Sequence, residues 1–174
     1  MIFLTGKYCQ MRLANISDSE FILSLRQNEK KSKFLNQSHI TVQEQMKWMS
    51  LYKEREVNGI EYYFIITDLN LTPVGTYRLY NIESSHATPG SWIIKDNTDF
   101  KTTFESVLLM YDFVFNELNK LYILFDVRQG NKKVKRFHES YGSMKISEDS
   151  QDVYYKFIKD DFLKMKSKFS KYIG

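Results

Sequence analysis

Residues 104–142 read FESVLLMYDFVFNELNKLYILFDVRQGNKKVKRFHESYG, and this stretch decides the fold. Val107, Leu108, Tyr111, Val114 and Phe115 recur at intervals of three and four. That is the period of a helix with one apolar face, so a helix is expected over 104–118. LYILFDV (121–127) is nearly all apolar, which suits a strand buried on both faces. A second helix is expected from about Asn131 to Tyr141, with Gly142 as its C-terminal cap. Helix, buried strand and helix in this order are the second half of an α/β layered fold.

The pattern continues on both sides. Upstream, YCQMRLA (8–14) suits a strand, and Asp18 is placed to cap a helix carrying Phe21, Ile22 and Leu25. TVQE (41–44) is a capping box that opens a second helix, with Met46, Met49 and Tyr52 as its apolar stripe and Trp48 beside them. YYFIIT (62–67) and VGTYRLYNI (74–82) flank the turn DLNLTP and predict a hairpin. A loop, ESSHATP, then leads to a strand at 90–94. Downstream, strands are expected at 143–147 and 152–158, and a Lys-rich helix at about 160–173 carries Phe162, Met165 and Phe169. The expected order is βααβββαβαββ plus this last helix. That gives one domain over residues 1–174, of the α/β (α+β layered) class, with a mixed, mostly antiparallel sheet flanked by helices.

Composition narrows the function. The 174 residues are 43% hydrophobic and 26% charged, which excludes a disordered chain. Aromatic residues reach 16%, enough to line both a core and a cleft with rings. The net charge of +4 is spread among interspersed lysines and acids, with no nucleic-acid-reading motif. No nucleic-acid partner is therefore expected, and an anionic small ligand accounts for the charge. The single cysteine, Cys9, cannot form an internal disulfide and points to a reducing cytoplasm and a core role. MIFLTGKY is too quickly charged for a signal peptide, and no apolar run approaches the roughly 18 residues of a span, so no membrane partner is expected. No metal ligand set is expected.

NKKVKRFHESYGS (131–143) resembles the GNAT acyltransferase pattern N-x-x-S-x-x-x-Y-x-x-x-G-F, with Asn131 and Gly142 at the family spacing. Val134, His138 and Ser143 depart from it. The family's donor loop, Q/R-x-x-G-x-G/A, aligns with TDFKTT (98–103), where both glycines are missing. The resemblance implies acetyl-CoA as the donor. Its arm would bond backbone N–H groups at Trp92, Ile93 and Ile94 and the side chain of Asn131. Its phosphates would meet Thr98, Phe100, Lys101, Thr102 and Thr103 at the positive end of the following helix. Asp99 would repel phosphate unless it points away. His138, standing where many members carry a Tyr, is the implied general acid, protonating the departing thiolate as an imidazolium.

LRQNEKKSKFLNQSHI (25–40), QEQMKWM, YYFII and PVGTYRLYNI are similar to acetyltransferases of nucleotide-linked amino sugars, of the pseudaminic-acid pathway type. Arg26, Phe34, Ile40 and the pair Asn81–Ile82 carry that likeness. It implies acceptor binding by Arg26, Phe34, Tyr80 and Asn81. The reaction would be direct attack of the sugar amine through a tetrahedral intermediate, in the cytoplasm, for a surface polysaccharide. The homodimer is the assembly left open. Ribosomal-protein N-terminal acetyltransferases share the layout, and the missing glycines also suit a non-catalytic CoA-binding module. The base that deprotonates the amine is not readable from the sequence: Glu61, Glu83 and His86 lie near hairpin ends, where they could act through water, and catalysis mainly by proximity is equally consistent.

Overall fold

The fold is described in a computed structural model covering residues 2–28 and 40–173. Eight strands form one sheet in the order β1-β2-β3-β4-β5-β6-β8-β7. They are β1 (Phe3–Thr5), β2 (Gln10–Leu13), β3 (Tyr62–Thr67), β4 (Pro73–Tyr80), β5 (His86–Ile94), β6 (Tyr122–Arg128), β7 (Met144–Glu148) and β8 (Asp152–Ile158). All neighbours are antiparallel except β5 and β6. The helices are α1 (Ser19–Arg26), α2 (Val42–Val57), α3 (Phe100–Asp112), α4 (Lys132–Ser140) and α5 (Lys159–Ile173). The expected mixed, mostly antiparallel layered fold is therefore present, with one strand, β1, that was not expected.

Several local expectations hold. Thr41 and Glu44 form the capping box: Glu44 N–H donates to Thr41 Oγ1 at 3.2 Å, and Thr41 N–H to Glu44 Oε2 at 2.7 Å. Met49 and Tyr52 are buried as the stripe requires, but Met46 is exposed. Gly142 takes φ +100 just past α4, the left-handed cap conformation. Others shift. Asp18 precedes α1 without capping it, because both carboxylate oxygens grip Arg12 at 2.7 and 2.8 Å. α3 starts at Phe100 rather than Phe104 and passes into a π-helical turn at Phe113–Glu117. The supposed loop ESSHATP ends inside β5, which begins at His86.

Two cores sit on opposite faces of the sheet. The larger packs α3, α4 and α5 against Tyr77, Leu79, Phe125, Val127 and Tyr155. The smaller packs α1 and α2 against Tyr63 and Ile65. Alternation along each strand thus gives the site two distinct sides.

The start of α3 is fixed by a buried carboxylate. Glu105 accepts the backbone N–H groups of Lys7, Tyr8 and Cys9 at 2.8, 2.6 and 2.9 Å. Gly6 makes room for it, since a Cβ there would lie 2.2 Å from Glu105 Oε2. This clamp ties the β1–β2 turn to the first turns of α3. Replacing Glu105 with Ala orphans three N–H groups, each costing about 1–3 kcal/mol if left unpaired, with partial relief from water. Glu105→Ala is expected to lower the unfolding free energy by about 3 kcal/mol in urea titrations, with Glu105→Gln less damaging.

Candidate functional site

The site lies where the sheet opens. β5 and β6 pair in parallel only at His86–Tyr122 and Ala87–Ile123. Two features of β5 account for the parting. Pro89 sits opposite Leu79 of β4 and has no N–H, so this must be a pair without mutual hydrogen bonds. Its nitrogen therefore faces β6, to which it can donate nothing. Two residues on, the register with β4 slips: Thr76 faces Ile93 but Arg78 faces Gly90. Tyr77 is thus opposed by both Ser91 and Trp92, and Ser91 takes φ +48. Such a bulge bends its strand and increases the local twist.

A cavity of about 140 Å³ fills the gap. Gly90, Ser91 and Trp92 line it from β5; Phe125, Asp126, Val127 and Arg128 from β6; Tyr77 from β4, Tyr111 from α3, and Asn131, Val134 and His138 from α4 and its cap. The structure therefore brings Trp92, Asn131 and His138 together as the sequence predicts. Asn131 caps α4, accepting Val134 N–H at 3.3 Å, while also facing the cavity. Trp92 donates its indole N–H to Ser106 at 3.2 Å and stacks on Tyr77, with ring centroids 5.8 Å apart. Ile93 is buried and Ile94 ends β5.

Sequence reasoning missed the tyrosines. Tyr77 hydrogen-bonds Tyr111, and the Tyr111 hydroxyl lies 3.4 Å from His138 Nδ1. With Tyr111 donating, Nδ1 is the acceptor and the imidazole proton sits on Nε2. Burial raises the pKa of both tyrosines and pushes that of His138 down to about 3. Phe125 packs on the imidazole at 4.5 Å. The expected imidazolium is thus corrected: desolvation keeps His138 neutral, a hydrogen-bond donor rather than a strong acid. Tyr77 belongs to a strand and Tyr111 to the apolar stripe of a helix, and only the packing of the two reveals the chain.

The donor loop is rearranged relative to expectation. Thr98 donates its hydroxyl to Lys95 C=O at 2.9 Å, Thr103 to Asp99 C=O at 3.0 Å, and buried Thr102 to Tyr8 C=O at 3.1 Å. The threonines therefore satisfy backbone carbonyls, in place of the expected role as phosphate donors. Asp99 does not point away; it caps α3, accepting Lys101 N–H at 2.7 Å. Phe100, the first helical residue, is exposed and tilts against Phe104. Lys101 lies over the Tyr8 ring at 5.0 Å and Lys7 over the same ring at 5.4 Å, which gathers two cations beside this helix end.

A second cavity, of about 100 Å³, lies toward the α1–α2 side and is lined by Arg26, Ile40, Gln45, Trp48, Tyr63 and Arg78. Tyr80 adjoins it, with the Arg78 guanidinium 5.1 Å above its ring. Asn81 is exposed and turns the chain after β4 at φ +47, outside this lining. Phe34 lies outside the described residues. Of the bases considered, Glu61 is held by Arg55 at 2.8 Å and Arg78 at 2.6 Å. His86 stacks on Tyr122, Glu83 is exposed, and none of the three lines the gap. No group of three or more His, Cys, Asp or Glu side chains suited to a metal occurs among the described residues.

An open parallel pair in an otherwise antiparallel sheet, with a helix N-terminus after the bulged strand, defines an acyltransferase of the GNAT type. The profile of the acetyltransferase (GNAT) domain matches residues 10–144, and the chain belongs to this family, whose donor is acetyl-CoA. No curated protein sequence matches it. Among solved structures it is similar to apo FdhC, a nucleotide-linked sugar GNAT, at 36% identity over 99% of both chains, with a TM-score of 0.90. Spermidine N-acetyltransferase from Vibrio cholerae, in complex with CoA and spermine, shares the fold at 20% identity, 91% and 99% coverage and a TM-score of 0.76. Ribosomal-protein-S5-alanine acetyltransferase from Vibrio fischeri does so at 17% identity, 93% and 99% coverage and a TM-score of 0.74.

The gap suits the amide-bearing arm of acetyl-CoA, because past Ala87 and Ile123 the two strands do not bond each other. The phosphate end suits it less well while Asp99 stands at the α3 N-terminus. Asp99→Asn keeps a good cap and removes the negative charge. It is expected to tighten acetyl-CoA binding about two- to five-fold, as a helix-end charge effect, in calorimetric titrations.

His138 also makes stability depend on pH. Its folded pKa, about 3, lies below the ordinary value of 6.5, so the unfolded chain binds more protons between those limits. Stability from this group is full above about pH 6.5 and declines as pH falls toward 3. From pH 7 to 5.5 the wild type is expected to lose about 1 kcal/mol more than His138→Asn, as read by urea unfolding at both pH values.

Proposed function

We propose that the chain transfers an acetyl group from acetyl-CoA directly to the amine of a nucleotide-linked amino sugar. The single observation that carries this reading is the full-length likeness to FdhC, at 36% identity over 99% of both chains. The basic and aromatic cavity around Arg26, Trp48 and Arg78 agrees with it. A guanidinium clamps a diphosphate and a ring packs on a base or sugar face. Arg26 and Tyr80 therefore belong to the acceptor side of the proposal.

Acetyl-CoA supplies the acetyl group as a thioester, already activated for attack. Backbone groups of β5 along Trp92–Ile94 hold the arm, and Asn131 bonds it from the start of α4. His138, kept neutral by desolvation, donates a hydrogen bond from Nε2 within the gap when Tyr111 donates to its Nδ1. Direct transfer is supported by Cys9, which is buried beside Glu105 with its thiol pKa raised, away from the residues lining the gap.

The setting of the proposal is the cytoplasm and precursor synthesis for a surface polysaccharide. Among the described residues no helix is long and apolar enough to cross a membrane. The five exposed residues of the edge strand β7 are where a homodimer would pair.

Incubation with acetyl-CoA and a panel of UDP- and dTDP-linked amino sugars, N-terminal peptides and polyamines, with release of free thiol as the signal, decides the acceptor. Turnover confined to nucleotide sugars is the expected result; turnover confined to peptides or polyamines overturns the proposal. Arg26→Ala is expected to raise the acceptor KM about tenfold or more while leaving acetyl-CoA affinity unchanged.

A further inference from the structure

The gap has a carboxylate that no step so far uses. Asp126 lies on β6 between Phe125 and Val127, both of which point into the larger core. Alternation therefore turns Asp126 to the opposite face. That is the face on which Arg78 and Tyr80 stand, since Tyr77 and Leu79 of β4 point into the same core as Phe125. Asp126 lines the gap with Gly90 and Ser91 across from it. The Tyr80 hydroxyl reaches the same place, 2.6 Å from where a Cβ on Gly90 would be.

The two faces of the opening therefore carry different chemistry. His138 and its tyrosines stand on the helix side. Asp126 stands on the side that leads past Tyr80 and Arg78 to the second cavity. The charged groups around it are otherwise engaged. Arg128 pairs with Asp152 at 3.0 Å, and the Tyr154 hydroxyl donates to Asp149 at 2.9 Å. Asp126 has no ion-pair partner among the described residues, and it is exposed to an incoming cation.

We infer that Asp126 is a catalytic residue: it binds the acceptor's ammonium group and takes its proton. The step balances. The ammonium gives one proton to the Asp126 carboxylate, and the freed nitrogen lone pair forms the C–N bond at the thioester carbonyl carbon. The C–S bond breaks, the second proton leaves nitrogen and ends on the departing sulfur, and Asp126 returns its proton to solvent. Its surroundings favour this role. Asp126 is exposed at its tip but partly desolvated by the walls of the gap; that desolvation and the nearby Asp152 and Asp149 raise the carboxyl pKa, against the lowering effect of Arg128, and Arg78, Tyr80 and Tyr154 also stand on this face.

The test compares wild type, Asp126→Asn and Asp126→Glu, using whichever acceptor the thiol-release panel identifies. Failure of the nucleotide-sugar reading thus leaves this comparison intact. Asp126→Asn is expected to lower kcat/KM about 100-fold at pH 7, the usual scale of a lost general base. The defect shrinks to a few-fold near pH 9.5, where a sugar amine is already neutral, and Asp126→Glu retains part of the activity. Acetyl-CoA affinity and melting temperature stay at wild-type values, which excludes a folding effect. Wild-type kcat/KM in Asp126→Asn at pH 7, or an equal loss at pH 7 and 9.5, would overturn the assignment.

Discussion

The chemistry of this protein depends on two strands that stop pairing. β5 and β6 run side by side for two residues and then part. A sheet ordinarily loses hydrogen bonds by opening, so the opening needs a cause and a support. The cause is local to β5: a proline whose nitrogen faces β6, followed by a bulge at Ser91. The support is on the helix side, where Trp92, Tyr77, Phe137, Phe104 and Tyr141 pack ring against ring beneath the gap. The C-terminal helix α5 reinforces them through Phe169, which stacks on Phe104 at 4.3 Å.

That aromatic support also sets the electrostatics. A histidine packed among Phe125, Phe137 and Tyr111 is desolvated, which favours its neutral form at physiological pH. On the other face of the sheet the same gap is open, and Asp126 meets solvent there. A cleft with buried His138 on one side and exposed Asp126 on the other would, in the proposed reaction, separate a site for a developing negative charge from a site for an arriving positive one. This division follows from alternation along β4 and β6, before any particular substrate is considered.

Most of the fold was legible because its signals are local and periodic. The helix at α3, the buried strand β6, the capping box of α2 and the left-handed glycine after α4 each depend on residues within a turn or two. The site was legible in part. Among the candidates, the resemblance to the GNAT pattern picks out Asn131 and His138 on one helix and Trp92 on the strand before the donor loop. Tyr77, Tyr111 and Asp126 were not legible, because each fits an ordinary structural pattern and acquires a role only through partners far away in sequence. β1 was missed for the same reason: three residues carry no period, and its place comes from pairing with β2 and from the Glu105 clamp. Glu61 misled in the opposite way, since its polarity suggested chemistry while its two arginine partners make it structural.

The glycine-free donor loop has a physical explanation in the same terms. A glycine is needed where the chain must take a positive φ or approach a ligand closely. Here the one left-handed position between β5 and α3 is Asn97, at φ +63, and asparagine tolerates that region better than other residues with a side chain. The remaining positions enter a regular helix at Phe100, with carbonyls satisfied by Thr98 and Thr103. The geometry that glycine would permit is therefore reached without it. What the loop lacks is neutral charge at the helix end. Asp99 stabilises α3 by the same charge that would oppose a phosphate bound there, so with the donor placed as the resemblance implies, helix stability and donor affinity would pull in opposite directions at one side chain. Lys7 and Lys101, brought together over Tyr8 by the Glu105 clamp, are the nearby charges that offset it. The clamp thereby links the β1–β2 turn, which the sequence pattern leaves blank, to the electrostatics of the α3 N-terminus.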